Sequence, residues 1–120
     1  MTEMGQASDC LFCRIAAKEL SADIVHLSDG VVAFRDIHPK APTHILIVPR
    51  QHVGSAAELT EDDADVLLEI FQTAAHLAET EGIDQKGWRL VTNVGPDAGQ
   101  SVAHLHFHLL GGRGLGWPPG

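Results

Sequence analysis

The segment His104-Leu105-His106-Phe107-His108-Leu109-Leu110 places three imidazoles at every second position. In a strand, successive side chains point to opposite faces, so the histidines share one face and the apolar residues between them share the other. A neutral imidazole is both a nucleophile and a metal ligand. At phosphorus it can displace a leaving group and form a covalent phosphoramidate, which divides one hard displacement into two easier steps. We therefore predict chemistry on a phosphate, with metal binding alone or a solvated polar face as the alternatives.

The stretch from Asn93 to Ser101 leads directly into the histidine row and contains Gly95 and Gly99. Glycines allow backbone N–H groups to approach an anion, and Asn93 and Ser101 add side-chain donors. Most such stretches are only turns. The position immediately before the histidines favours a phosphate cradle.

The Cys10-x-x-Cys13 pair is the other chemically informative motif. In a reduced compartment it indicates a metal half-site or a redox motif, not a structural disulfide. Two thiolates and two imidazoles form a common tetrahedral zinc set, and the missing ligands would come from the eight histidines. The alternative is two inert buried cysteines beside a helix. We assign no role to His26, His38 or His76.

Composition limits the class of protein. A chain of 120 residues with 44% hydrophobic residues predicts one globular domain over residues 1–120. The net charge of −8 argues against a nucleic-acid partner, which needs a basic surface. With no secretory signal and no membrane-length apolar run, we predict a cytoplasmic protein without a membrane partner. Residues 1–8 are expected to be flexible, and residues 111–120 to form an irregular tail that docks through its Trp and prolines.

Short strands and one long helix predict an α+β fold with an antiparallel sheet of about five strands. A short helix is expected over residues 11–20, with strands at 24–27, 31–35, 44–48, 88–93 and 104–110. Thr60 to Asp63 resembles a capping box before the long helix, which ends near Gly82. The apolar face of that helix is predicted to comprise Ala64, Leu67, Leu68, Phe71, Ala74, Ala75 and Ala78.

These features resemble the histidine triad superfamily, and within it the Hint branch of nucleotide-binding proteins. The resemblance covers nearly the whole chain. It lies in the Cys pair, the triad and the terminal Trp-Pro-Pro-Gly, together with residues 34–37, 41–44, 49–52, 99–102 and 111–113. It implies a homodimer whose sheets join across the interface. It also implies binding of purine nucleoside monophosphates such as AMP and GMP, and hydrolysis of nucleoside 5′-phosphoramidates.

The resemblance also assigns residues to roles. His106 is the nucleophile that forms a nucleotidyl-histidine, which water then cleaves. His108 holds the phosphate, Ser101 assists departure of the amine, and His44 completes the proton network. The nucleotide-binding residues carried over are Asn93, Gln100 and Val102, with Asp36 at the ribose hydroxyls and Phe12, Phe34 and Ile37 around the base.

Relatives that keep both cysteines bind a structural zinc ion. By resemblance the ligands here are Cys10, Cys13, His52 and His104. In relatives without the cysteines, the first triad histidine belongs to the catalytic hydrogen-bond network instead. His104 therefore has two candidate roles, one catalytic and one as a metal ligand.

The chain departs from the family pattern at Ala103, where relatives often carry an aromatic residue, and in a tail that contains Gly114 and Gly116. We expect altered local packing with the chemistry retained, and the sequence leaves open which amines are accepted. Three other functions stay open. They are hydrolysis of dinucleoside polyphosphates or adenylated intermediates, a non-catalytic zinc-stabilised nucleotide sensor, and a pure metal-binding protein.

Overall fold

The computed structural model describes residues 10–120, so the expectation of a flexible segment at residues 1–8 lies outside the described residues. The chain forms helix α1, three strands, helix α2 and two further strands. These are α1 (Leu11–Ala16), β1 (Ile24–Leu27), β2 (Val31–Arg35), β3 (Thr43–Pro49), α2 (Ala64–Thr80), β4 (Trp88–Val91) and β5 (Phe107–Gly111). The predicted α+β class, with five strands, one long helix and one short helix, is confirmed.

The five strands form one antiparallel sheet in the order β1-β2-β3-β5-β4. Strand β3 is central and all seven of its residues are buried, as its apolar run predicts. On β3 and β5, His44 pairs with Leu110 and Leu46 pairs with His108. Because paired residues and alternate residues share a face, this register places His44 and His108 diagonally on the same side of the sheet.

The two faces of the sheet bury different clusters. Helix α2 covers one face, where Leu105, Phe107 and Leu109 join the larger core cluster. Helix α1 covers the other, through a second cluster that includes Phe12 and Phe34. The predicted alternation is therefore confirmed, because the apolar members of the histidine row pack towards α2. The histidines lie on the α1 side.

Strand β5 begins at Phe107, so the prediction of a strand over 104–110 is wrong for its first three residues. The backbone groups before Phe107 form hydrogen bonds with residues other than those of β3 and β4. The N–H of Leu105 donates to the carbonyl of Val53 at 2.6 Å, and the carbonyl of His106 accepts from the Thr92 hydroxyl at 2.8 Å. Helix α1 also ends early, at Ala16.

The predicted apolar face of α2 is wrong in part. The capping box at Thr60 is confirmed, although it caps a 3-10 turn, Glu61–Asp63, that leads into the helix. Leu68 and Phe71 are 58% and 49% exposed. The helix carries two apolar lines with the same period, and periodicity does not show which one faces the sheet. The buried line is Ile70, Thr73, Ala74, Leu77 and Ala78.

After β5 the chain has no regular structure, as predicted for the tail. Trp117 is 81% exposed, and the Arg89 guanidinium lies 5.9 Å from the centre of its ring. In the part of the chain that the structure describes, no helix is both long enough and apolar enough to cross a membrane.

Candidate active site and metal centre

His106 lies just before β5, is buried, and has its ring orientation fixed by the backbone. Its Nδ1 lies 2.7 Å from the carbonyl oxygen of His104. A carbonyl only accepts hydrogen bonds, so Nδ1 carries the ring proton and the lone pair is on Nε2. The ring also packs edge-to-face against Phe12 and His108, with centroids 5.0 and 5.1 Å away. These contacts fix the orientation of the ring, and in the neutral imidazole the free nitrogen is Nε2.

A second chain of hydrogen bonds runs from the loop after β2 to His108. The N–H of Lys40 donates to Nδ1 of His44 at 3.0 Å, so the His44 proton is on Nε2. That nitrogen lies 2.9 Å from Nδ1 of His108 and donates to it. His108 therefore carries its own proton on Nε2. It is set to donate to an acceptor such as a phosphate oxygen.

The surroundings keep these rings neutral. Burial, together with the neighbouring His106 and His44 and against a smaller opposing effect of Asp36, lowers the pKa of His108 to about 4. Burial also lowers the pKa of His44, while the Asp36 carboxylate, 3.4 Å from its Nε2, works in the opposite direction. Neutral rings are what the hydrogen-bond chain requires, because an imidazolium has no accepting nitrogen.

The phosphate-cradle residues predicted from sequence lie in the loop between β4 and β5. Asn93 is half-buried, and Ser101 is exposed. Gln100 has a clear structural role: its amide nitrogen donates to the carbonyls of Gly54 and Val102 at 2.9 and 3.0 Å. Its oxygen accepts from the N–H of Gly95 at 3.0 Å. The side chain that we grouped with the nucleotide-binding residues thus ties two loops together through its hydrogen bonds.

The residues assigned to the ribose and the base lie on the α1 side of the sheet. Asp36 directly follows β2, and its Oδ1 accepts from the N–H of His38 at 2.7 Å. Phe12 and Phe34 form an edge-to-face pair with centroids 5.5 Å apart. Ile37 is 86% exposed and projects from the following loop. Val102 packs partly against the same cluster as the two phenylalanines.

The four predicted metal ligands come together from three distant parts of the chain. The Sγ atoms of Cys10 and Cys13 lie 3.3 and 3.4 Å from Nδ1 of His104. Nδ1 of His52 lies 3.3 Å from Sγ of Cys13. All four ligand atoms lie within 4.8 Å of one another, so the cluster can hold a metal ion.

His104 presents the correct nitrogen for ligation. Its Nε2 donates to the carbonyl of Pro49 at 2.8 Å, which leaves the lone pair on Nδ1, facing the cysteines. Such an outer hydrogen bond is the usual device that fixes a ligating histidine. Burial, with the neighbouring Cys10, raises the pKa of the Cys13 thiol to about 12, and a bound cation would favour the thiolate form. The donor set therefore fits a metal ion.

A second group, Asp36, His44 and His108, also brings three ligand atoms together. In this group the two ring nitrogens are at hydrogen-bond distance and share a proton. The three side chains form a hydrogen-bonded group, and its predicted role as the catalytic proton network stays a prediction.

Sequence reasoning missed three residues that act on the site. The Thr92 hydroxyl holds the carbonyl of His106, and the Lys40 N–H orients His44. Arg113 donates from Nε to the carbonyl of Lys40 at 3.0 Å and thereby fastens the start of the tail to that loop. All three contacts involve a backbone group, and backbone groups leave no signature in residue type. Only Arg113, within the Gly111-Gly112-Arg113 motif, carried a signal.

Comparison with known proteins agrees with this geometry. The family model of the HIT domain matches residues 17–115. The purine nucleoside phosphoramidase of Escherichia coli strain K12 is 44% identical over 110 residues, which is 92% of each chain. The crystal structure of a HIT family hydrolase from Legionella pneumophila is 47% identical and superimposes with a TM-score of 0.92, covering 93% of this chain and all of that one. A histidine triad nucleotide-binding protein from Candida albicans is 30% identical with a TM-score of 0.78, covering 92% of this chain and 83% of that one. The chain belongs to the HIT family.

The lowered pKa of His108 predicts a pH-dependent stability. In the unfolded chain this ring titrates near 6.5, and in the folded chain near 4. The unfolded state therefore binds more protons between these values, and the free energy of unfolding falls as the pH falls from about 6.5 to about 4. Urea unfolding at several pH values should show a shallower decline in His108→Gln than in the wild type.

His76→Gln is the matched control, because His76 is exposed on α2. It should retain the wild-type decline. The same slope in all three proteins would contradict the lowered pKa of His108.

Proposed function

We propose that this protein hydrolyses purine nucleoside 5′-phosphoramidates to a nucleoside monophosphate and an amine, through a covalent intermediate on His106. The observation that carries this proposal is the hydrogen bond from Nδ1 of His106 to the His104 carbonyl, which leaves Nε2 as a neutral nucleophile. The name of the E. coli relative, a purine nucleoside phosphoramidase, supports the substrate class. The named HIT family hydrolase of Legionella supports the hydrolytic reaction type.

In the first step, Nε2 of His106 attacks phosphorus and the P–N bond breaks. The amine leaves with the bonding electrons and takes up a proton, with the Ser101 hydroxyl assigned to the bridging nitrogen. Nε2–H of His108 donates to a phosphate oxygen, where negative charge develops in the transition state. In the second step, water attacks phosphorus, the P–Nε2 bond breaks, and the water releases a proton to solvent. His106 is then neutral again.

The remaining assigned residues position the nucleotide. Asp36 follows β2 on the same side as His44 and accepts the ribose hydroxyls. Phe12, Phe34 and the exposed Ile37 form the apolar surroundings of the base. Asn93 and the backbone near Val102 hold the phosphate.

The test is amine release from adenosine 5′-phosphoramidate by the wild type and by His106→Ala. We expect multiple turnovers by the wild type and at least a thousandfold loss in the variant, because the covalent route is removed. Isothermal titration should show that His106→Ala still binds AMP, since other residues build the pocket. His76→Ala is the control and should keep wild-type turnover.

The outcome also separates the other functions. AMP binding by the wild type without turnover would contradict the proposal and favour the nucleotide sensor. Faster release of AMP from a diadenosine polyphosphate than from the phosphoramidate would favour the other hydrolase branch.

We further propose that Cys10, Cys13, His52 and His104 hold a structural zinc ion. Tetrahedral zinc, with bonds of about 2.3 Å to sulfur and about 2.0 Å to nitrogen, separates its ligand atoms by about 3.3–3.8 Å. The sulfur–nitrogen distances of 3.3–3.4 Å in the cluster agree with this range. When bound, zinc supplies a cross-link between the start of α1, the segment after β3 and the start of the triad.

Cys10→Ser should lower the metal content measured by mass spectrometry and lower the melting temperature by more than about 5 °C, or roughly 1–2 kcal/mol. Turnover should fall less than in His106→Ala, because the ion leaves no open position for chemistry. A chelator should destabilise the wild type and leave Cys10→Ser unchanged. Equal melting temperatures for both proteins, with and without chelator, would refute the zinc proposal.

We also propose that the protein is a homodimer whose sheets join through β4. In the described residues β4 pairs only with β5, so its other edge has no strand partner. The neighbouring helix α2 exposes Leu68 and Phe71, which a monomer has little reason to leave in water. Sedimentation equilibrium should give the mass of two chains, and Leu68→Asp should shift the mass towards one. Leu27→Asp, on the opposite edge strand, should not.

A further inference from the structure

The loop that joins β2 to β3, residues 36–42, carries backbone groups that hold His44. At its start, the N–H of Asp36 donates to the carbonyl of His44 at 3.0 Å. In its middle, the N–H of Lys40 donates to Nδ1 of His44 at 3.0 Å, which leaves the ring proton on Nε2, directed at His108. The direction of the hydrogen bond from His44 to His108 therefore depends on the position of this loop.

One carboxylate, that of Glu81 at the end of α2, holds both ends of the loop. The guanidinium of Arg35, the last residue of β2, donates to Oε1 and Oε2 of Glu81 at 3.0 and 2.8 Å. The hydroxyl of Thr43, the first residue of β3, donates to Oε1 of the same carboxylate at 3.2 Å. Arg35 and Thr43 are the residues immediately before and after the loop. The carboxylate therefore fixes the two points where the loop leaves and rejoins the sheet.

This contact differs from an exposed surface ion pair. The side chain of Glu81 is only 17% exposed, and Thr43 is buried. The hydrogen bonds from Arg35 lower the pKa of the Glu81 carboxyl, so it stays ionised and accepts from both partners. Gly111, which pairs with Thr43, lies against Ile83, and a Cβ at residue 111 would overlap the Ile83 side chain. The segment that follows α2 is thus packed onto this end of the sheet.

The Glu81 contacts and the histidines lie on opposite faces of the sheet. Successive strand residues point to opposite faces, so Thr43 faces the end of α2 while His44 faces the α1 side with His108. Glu81 can therefore act on the histidines only through the backbone of the loop and of the strand ends.

We propose that Glu81 is a positioning residue, whose grip on both ends of the loop keeps the Lys40 N–H on Nδ1 of His44 and the His44 proton directed at His108. The effect on turnover rests on the proposed phosphoramidase function. The effect on the His44 proton does not, because the hydrogen bonds are present without a substrate.

The first measurement is the tautomer of His44 in the free protein, read from long-range ¹H–¹⁵N NMR spectra of the imidazole nitrogens. The wild type should show one tautomer, with the proton on Nε2. Glu81→Gln keeps one acceptor oxygen and loses the paired one, and should show a second tautomer or averaged nitrogen shifts. Thr43→Val removes only the hydroxyl bond with little change in volume, and should show the same change to a smaller extent.

The second measurement is hydrolysis of adenosine 5′-phosphoramidate by the same proteins. In Glu81→Gln we expect kcat to fall by about five- to twentyfold, because the donation from His108 to the phosphate in the transition state is less well directed. The affinity for AMP should fall by less. Adding Arg35→Met to Glu81→Gln should lower kcat no further, since both changes remove the same contact.

Glu19→Gln is the matched control, because it breaks an exposed ion pair with Arg14 at the end of α1. It should retain the wild-type tautomer and the wild-type kcat.

The outcomes separate this inference from the proposed function. A wild-type His44 tautomer in Glu81→Gln, or an unchanged kcat, overturns the positioning role and leaves the phosphoramidase in place, even if the melting temperature falls. If Glu81→Gln does not fold, Thr43→Val decides by the same criteria. A changed tautomer in the variants, with no turnover by the wild type, supports the hold on His44 and overturns the phosphoramidase.

Discussion

The position of His104 is the constraint on which both centres depend. Its ring is completely buried, and a buried polar group is costly unless each donor and acceptor finds a partner. One nitrogen is satisfied by the carbonyl of Pro49, at the end of the central strand, and the other faces the two cysteines. Its backbone carbonyl orients His106. A single residue thus links the sheet, the candidate metal ligands and His106, so a shift of one is transmitted to the others.

The candidate site is characterised by the direction of its hydrogen bonds more than by charged groups. The hydrogen bond from the Lys40 N–H to His44 and the one from His44 to His108 run in the same direction, because each neutral imidazole has one donor and one acceptor nitrogen. Burial maintains this by lowering the pKa of His108 and His44. On the same side of the sheet, Phe12 of α1 packs against His106 and restricts the orientation of its ring.

Structural features that depend on the local spacing of apolar residues can be predicted from the sequence. Features that depend on contacts with residues distant in the chain cannot. The alternation of histidine and apolar residues places Leu105, Phe107 and Leu109 correctly, because a period of two has one meaning in an extended chain. The face of α2 that contacts the sheet is not predictable in this way, since two apolar lines compete and the sheet decides between them. The start of β5 also depends on remote groups at Val53 and Thr92.

The candidate site shows the same division. The triad and the cysteine pair are visible as motifs, yet the residues alone left the two histidine ligands open among eight. Cys10 and His104 are 94 positions apart, and only the family resemblance joined them before the fold did. Lys40 was invisible, because it acts through a backbone N–H that every residue except proline possesses.

The strand order has a consequence for the synthesis of the chain. Strand β5 lies between β3 and β4, and it leaves the ribosome after the other four described strands. Until it arrives, β4 has no partner and the central strand has an open edge. The nascent polypeptide can assemble β1 to β3 with α2, but the sheet closes only when the histidine-bearing segment inserts. Completion of the sheet and placement of His106 and His108 therefore depend on the same segment of the chain.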